Sequence, residues 1–393
     1  MAIDIERARR DTPAAAEILH FNNAGAALPP APVVETQIAH LRREAAVGGY
    51  EAAAEAKARL DGVYDSLARL IGARRDEIAL VENATVAWDM AFYGLPLQPG
   101  DRILTAQAEY ASNYIAFLQR RHRTGAVIDV IPSTAEGDVD VDALARMIDG
   151  RVKLIAVTHV PTNGGLVNPA AEIGRIARAS GVPFLLDACQ AIGQLPIDVK
   201  EIGCDMLSAT GRKYLRGPRG SGFLYVRRQM LDRLEPPFLD LRSAEWVAPD
   251  RLEMRPDARR FENWEKNVAA LLGLGAAADY ALGWGLASIA ARVGDLAAEL
   301  RRRLAAIPGV TVTDIGRRKC GIVGFHLAGK ESPEIAAELR RRRMNCSVST
   351  PSSTLLDATA RRLPDLVRAS VHYYNTEEEA ARFADAVGEI ARR

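Results

Sequence analysis

The chain has 393 residues, more than one compact core usually holds, so two lobes are expected. Its 51 basic and 50 acidic residues nearly cancel, which gives no reason to expect a nucleic acid or an anionic membrane as partner. No apolar run approaches the length of a membrane span, and MAIDIERARRDTP lacks the apolar core of a signal peptide. Cys189, Cys204, Cys320 and Cys346 form neither a CxxC pair nor a zinc-like cluster with histidine, so no metal site and a reducing cytoplasm are expected. Arginine runs near Arg120 and from Arg340 to Arg343 fall where solvated helix faces belong.

In chain order, EIALVE, DRILTA, VIDVIP, VKLIAVTH, VPFLLD, DMLSAT and GSGFLYV read as short strands. Between them, DVDALARMIDG and PAAEIGRIARASG have helical period, the second ended by Gly181. This alternation predicts a mostly parallel sheet covered on both faces. Ligands of such sheets collect at the carboxyl ends of the strands, where Thr158, His159, Asp187 and Thr210 would arrive. From FENWEKN onward the sequence turns to long Ala- and Leu-rich helices, followed by a smaller αβ region with strand candidates VTVTD, GIVGFHL and RASVHYY. The last helix, EEEAARFADAVGEIARR, opens on acids and ends on arginines, as the helix dipole favours. A domain boundary is expected near Gly283, giving a large domain over residues 16–283 and a small C-terminal α/β domain over 284–393.

The chemistry concentrates around Lys213, in SATGRKYLRGPRGSGFLYV. A lysine enclosed by small residues, glycines and cationic neighbours suits an imine-forming amine. Pyridoxal phosphate requires such a lysine, an acid for its ring nitrogen and a separate phosphate cradle. Upstream, VPFLLDACQAIGQ delivers Asp187 from the end of a buried run. Ala84 and Thr85 open the helix TVAWDMAFYGL, whose first-turn amides can receive an anion, and Thr210 and Arg212 add a hydroxyl and a cation just before the lysine.

The ordered motifs FNNAGAALPP, VENATVAWD, AEYASNY, VTHVPTNGGLVNP, LLDACQAIGQ, ATGRKYLRGPRGSG and VRASVHYYNTEEE resemble those of fold-type I pyridoxal-phosphate enzymes of the class V aminotransferase and cysteine desulfurase superfamily. The resemblance covers nearly the whole chain. It implies the PLP-transferase fold, with a mostly parallel seven-stranded sheet in the large domain. It further implies residues 1–15 packed on the small domain, and a homodimer with the active site near its interface. Lys213 is implied as the cofactor lysine and Cα base, Asp187 as the partner of the ring nitrogen, and Gln190 as the partner of the ring hydroxyl. Tyr110 is placed where relatives stack a histidine on the ring; His159 and Asn163 match a cofactor-contacting strand end. Arg212 stands where many desulfurases have histidine, which keeps the positive charge. Arg368 matches the arginine that holds a substrate α-carboxylate, and Asn22, Asn23, Gly25 and the GGYE loop, with Tyr50, are implied at the substrate end.

Two features depart from the desulfurase pattern. The segment MNCSVSTPSSTLLD puts Cys346 ahead of the loop where those enzymes carry their nucleophilic cysteine, and Ser, Thr and Pro fill the loop itself. Trp264 and Glu265 replace a Gly-Thr pair that reaches the partner subunit's phosphate in those relatives. Both features are similar to the branch containing C–S lyases and isopenicillin-epimerase-like proteins. The expected activity is β-elimination from an S-substituted L-cysteine or its sulfoxide, giving pyruvate, ammonia and a thiol or sulfenate. Aminotransferase, epimerase, persulfide-forming desulfurase and non-catalytic cofactor-binding readings stay open.

Overall fold

A computed structural model describes residues 2–393. β1 (Ile78–Val81), β2 (Arg102–Ala106), β3 (Val127–Ile131), β4 (Val152–Thr158), β5 (Phe184–Asp187), β6 (Met206–Thr210) and β7 (Gly222–Val226) form one sheet, ordered β1-β7-β6-β5-β4-β2-β3. Its neighbours pair in parallel except around β7, which runs antiparallel to β1 and β6. Alternate residues enter different cores: Leu154 and Ala156 of β4 pack on one face, Ile155 and Val157 on the other. Burial of both faces explains why these strands read as continuous apolar runs without polar alternation.

α1 (Ile5–Arg10), α2 (Ala84–Tyr93), α3 (Ala111–Thr124), α4 (Ala170–Ala179), α5 (Val268–Trp284), α6 (Leu286–Ala305) and α7 (Glu377–Ala391) are the helices that matter most for the site and its support. Asn83 caps α2, its Oδ1 accepting from the Val86 N–H at 3.0 Å. Such a cap stabilises a helix start by about 1 kcal/mol. Gly222 lets this cap sit against the sheet, since a Cβ there would lie 2.6 Å from the Ala209 carbonyl oxygen and 3.0 Å from the Asn83 carbonyl carbon.

A second, smaller sheet follows: β8 (Val310–Val312), β9 (Ile322–Leu327), β10 (Ser347–Ser349) and β11 (Leu366–Ser370), antiparallel in the order β8-β9-β11-β10. The large, mostly parallel sheet and the smaller α/β part agree with the fold read from the sequence. α1 docks on the small part, with Arg9 Nη1 donating to Glu379 Oε1 of α7 at 2.8 Å and to the Tyr374 carbonyl at 3.1 Å. Among the described residues no single helix is long and apolar enough to cross a membrane.

Two local expectations need correction. RASVHYY is strand only through Ser370; beyond it the His372 N–H is taken by Asn375 Oδ1 at 2.8 Å and the Tyr373 N–H by His372 Nδ1 at 2.9 Å, so side chains replace a neighbouring strand. FENWEK is not α-helical: Phe261 ends a 3-10 helix (Ala258–Phe261), and Glu262 is buried and accepts from Tyr64 Oη at 2.7 Å and the Leu80 N–H at 2.9 Å, which holds this segment against the sheet until Asn267 caps α5. Close to the expected boundary, α5 ends at Trp284 and the chain breaks at Gly285, with φ +81°, where α5 and α6 meet at 79°.

Candidate active site

The carboxyl ends of β4, β5 and β6 and the start of α2 enclose a cavity of 330 Å³. Asp187, Gln190, Thr210, Arg212 and Lys213 line it, with Ala84, Thr85 and Tyr110. The site residues on the large sheet thus meet in one place, because strands entering the same sheet edge deliver their last residues side by side.

Asp187 ends β5 in a buried position. Its Oδ1 accepts the Cys189 N–H at 2.8 Å and its Oδ2 accepts Asn113 Nδ2 at 3.0 Å. Burial pushes its carboxyl above the ordinary range, against the opposing pull of these hydrogen bonds and of the Lys213 charge. Cys189 also lines the cavity; burial raises its thiol pKa, while the nearby Lys213 opposes that rise.

The lysine-bearing loop is held from behind. Arg216, three residues on, is buried with φ +62°, a conformation that costs a non-glycine residue on the order of 1–2 kcal/mol. Its guanidinium donates to Thr12 Oγ1 at 2.5 Å, Tyr373 Oη at 2.6 Å and the Leu28 carbonyl at 2.8 Å, and lies 4.5 Å from the Tyr374 ring centroid. Chain start, lysine loop and the turn after β11 are thereby tied at one buried cation.

These residues fit pyridoxal phosphate. Gln190 donates from Nε2 to the Ala24 carbonyl at 3.1 Å, but its Oε1 is buried without a partner at the cavity wall, where a ring hydroxyl would satisfy it. The Ala84 and Thr85 amides at the start of α2 have no intrahelical acceptor, and with Thr210 and Arg212 they make a donor set suited to a phosphate. Asp187 is a buried carboxyl group of the kind that a protonated ring nitrogen needs.

Other expected contacts are placed elsewhere. His159 and Asn163 do not line the cavity. The His159 ring is buried, and burial first, then the Arg318 charge, push it down to about 4, as for a neutral core imidazole. Asn163 instead donates to Thr354 Oγ1 at 2.7 Å, pinning segment 350–355. Asn23 is wholly buried, with Nδ2 donating to the Ser370 carbonyl at 2.7 Å and Oδ1 accepting from Tyr374 Oη at 2.6 Å, so it joins the chain start to β11. Gly25 contributes its carbonyl to Arg212 Nη1 and no cavity surface. Tyr50 is 74% exposed in a separate cleft with Trp264, because GGYE runs into the surface helix Gly49–Glu55.

Arg368 stands just behind the lining residue Thr162, donating from Nη1 to its carbonyl at 3.0 Å and its Oγ1 at 2.6 Å, and from Nε to Ser347 Oγ at 3.1 Å. None of these bonds uses Nη2. Cys346 is 5% exposed in the core beside β10, and burial pushes its thiol up to about 12.

Sequence reasoning passed over Glu109, Asn113 and Thr162. Glu109 is buried and accepts from Thr105 Oγ1 at 3.0 Å, Asn113 Nδ2 at 2.9 Å, the N–H groups of Tyr110 and Thr158 at 3.0 Å each, and Thr158 Oγ1. The available signal was an acid and an amide four residues apart at a helix start, in AEYASNY.

A family model described as aminotransferase class-V matches residues 18–383. The chain is 30% identical over 396 residues to a probable cysteine desulfurase of Methanothermobacter thermautotrophicus, covering 98% of each protein. It is 30% identical over 408 residues to a cysteine desulfurase of Yersinia pestis, covering 100% of this chain and 99% of that one. Among solved structures, the apo cysteine desulfurase of Thermococcus onnurineus superposes with a TM-score of 0.91 at 27% identity, over 100% of this chain and 99% of the other. The cystine C–S lyase C-DES, in complex with its product cysteine persulfide, superposes with a TM-score of 0.85 at 25% identity, over 95% and 99% of the two chains. With its cavity matched to pyridoxal phosphate and its length spanned by the family model, the chain is a pyridoxal-phosphate-dependent enzyme of the aminotransferase class-V family.

Proposed function

We propose that the enzyme is a β-eliminating C–S lyase acting on an S-substituted L-cysteine or its sulfoxide. The observation that carries this reading is the state of the thiol in the segment where a loop nucleophile would sit. Cys346 is buried in the core with its pKa pushed up to about 12, and residues 350–356 contain no cysteine. A buried protonated thiol is a poor nucleophile. Elimination needs none, because the sulfur leaves with the C–S bonding electrons. The likeness to a cystine C–S lyase supports the same reading.

When bound, pyridoxal phosphate supplies an electron sink for a carbanion at the substrate Cα. The α2 amides, Thr210 and Arg212 would hold its phosphate; Asp187 would keep a proton on its ring nitrogen, Gln190 would bond its ring hydroxyl, and Tyr110 would cover its face. Lys213 Nζ removes and holds the Cα proton. Arg368 binds the substrate carboxylate, with Nη2 as the donor outside its bonds to Thr162 and Ser347. After addition of one water the three-carbon fragment is released as pyruvate and ammonia, and the sulfur leaves as thiol or sulfenate.

A second reading is a cysteine desulfurase, favoured by the names of the relatives and by a thiol, Cys189, at the cavity wall. Product analysis with cysteine, cystine and S-alkyl cysteines separates the two. Pyruvate and ammonia formed at unchanged rate by Cys346→Ala support the lyase; alanine, with sulfur transfer lost in Cys346→Ala or Cys189→Ala, overturns it. A requirement for a 2-oxo acid points to an aminotransferase, and racemised substrate to an epimerase.

The same reading takes residues 16–283 as the cofactor-binding domain and residues 284–393, with residues 1–15 packed on them, as the small domain. It includes a homodimer that covers the exposed Leu41, Tyr50 and Trp264, testable by solution mass, and a cytoplasmic setting in keeping with four free thiols.

A further inference from the structure

We infer that Asn113 and, through it, Glu109 are positioning residues for Asp187, forming a bridge between two buried carboxylates that aims one of them at the cofactor's ring nitrogen. The inference rests on the assignment of Asp187 to that nitrogen. Asn113 Nδ2 lies 2.9 Å from Glu109 Oε1 and 3.0 Å from Asp187 Oδ2, so its two N–H groups serve one carboxylate each. With both carboxylates ionised this fixes the amide's orientation, since its carbonyl oxygen turned toward either of them would meet only acceptors.

Glu109 anchors the bridge. Its donors come from Thr105 on β2, from Thr158 at the end of β4, and from the backbone of Tyr110 at the start of α3. β4 pairs with β5 and β2 pairs with β4, so Asn113 is aimed by groups that the sheet itself immobilises. Asp187 is then held at both oxygens, by the Cys189 N–H and by Asn113, which sets the plane of its carboxylate. Without Asn113 its Oδ2 could rotate away from the ring.

The arrangement is costly, which argues against mere packing. Burial pushes Glu109 up to about 7; its donors pull the other way, and the Asp187 charge adds to the rise. A glutamine at 109 would set an NH₂ against either the two donors at Oε2 or the three at Oε1, each set including a backbone N–H that cannot accept, so the carboxyl group is preferred there.

The test compares Asn113→Ala, Glu109→Gln, Asp187→Asn and the double variant Asn113→Ala/Asp187→Asn as holoenzymes. It reads the cofactor dissociation constant and the visible band of the bound cofactor beside kcat and KM. Asn113→Ala should weaken cofactor binding and lower kcat on the order of ten-fold each, the size of loss shown by outer hydrogen-bond partners of functional groups, with KM unchanged. Its band should move toward that of Asp187→Asn, and the double variant should be no worse than Asp187→Asn alone. Multiplying losses in the double variant, or Asn113→Ala and Glu109→Gln with wild-type affinity and spectrum beside a damaged Asp187→Asn, would overturn the bridge. If Asp187→Asn itself leaves affinity and spectrum unchanged, the assignment of Asp187 fails instead. Should Glu109→Gln not fold, Asn113→Ser carries the same comparison.

Discussion

The two ends of the catalytic cavity are built differently. At the cofactor end, Asp187, Thr210, Thr85 and Asn113 come from adjacent strand ends and helix starts of one sheet, and the buried carboxylates there have multiple donors. At the proposed substrate end, behind the cavity wall, Arg368 comes from β11 of the small sheet and meets the large part through Thr162, while segment 350–355 is pinned by Asn163. The first end is fixed by the hydrogen-bond ladder of the sheet. The second is assembled across two parts of the molecule by a few side chains, which leaves it freer to vary with the substrate.

This contrast predicts that substitutions at the two ends move different parameters. Asp187→Asn should lower kcat on the order of 100-fold with KM little changed, because the charge it supplies matters most as electrons move onto the ring. Steady-state kinetics with an S-alkyl cysteine check it. Arg368→Lys should raise KM roughly ten-fold with a smaller effect on kcat, since an ammonium cannot reproduce the guanidinium fork while still holding Thr162 and Ser347. Equal losses in kcat and kcat/KM for both variants would mean that the two ends act as one unit.

The smallest effects concern stability and sharpen the placement of His159 behind the site. Its folded pKa of about 4 lies below the 6.5 of the free imidazole, so the unfolded chain binds the proton more tightly. Its contribution is therefore complete above pH 6.5 and is lost as pH falls through 4, at most about 3 kcal/mol. His159→Asn should flatten the acid limb of the melting temperature over that window; an unchanged limb would remove the buried neutral imidazole from the account. Glu109 has the opposite sign: raised from 4.5 to about 7, it contributes stability present below pH 4.5 and lost as pH rises through 7.

Gln190 and Tyr110 entered the site through the family resemblance, whereas the sequence by itself determined the alternating strands and helices, the mostly parallel sheet, and the group formed by Lys213, Asp187, Thr85, Thr210 and Arg212. These follow from local rules: apolar runs make buried strands, and strand ends and helix starts deliver their residues to one sheet edge. Only the tertiary structure decided that His159 and Asn163 turn away from the cavity, that Asn23 is spent on β11, and that Tyr50 faces a different cleft. It alone showed the break at Gly285, Arg368 engaged with Thr162, and Asn113 linking Glu109 to Asp187. Side-chain direction and partners hundreds of residues apart set these features, and no local pattern of residue types encodes which donor a buried acceptor will find.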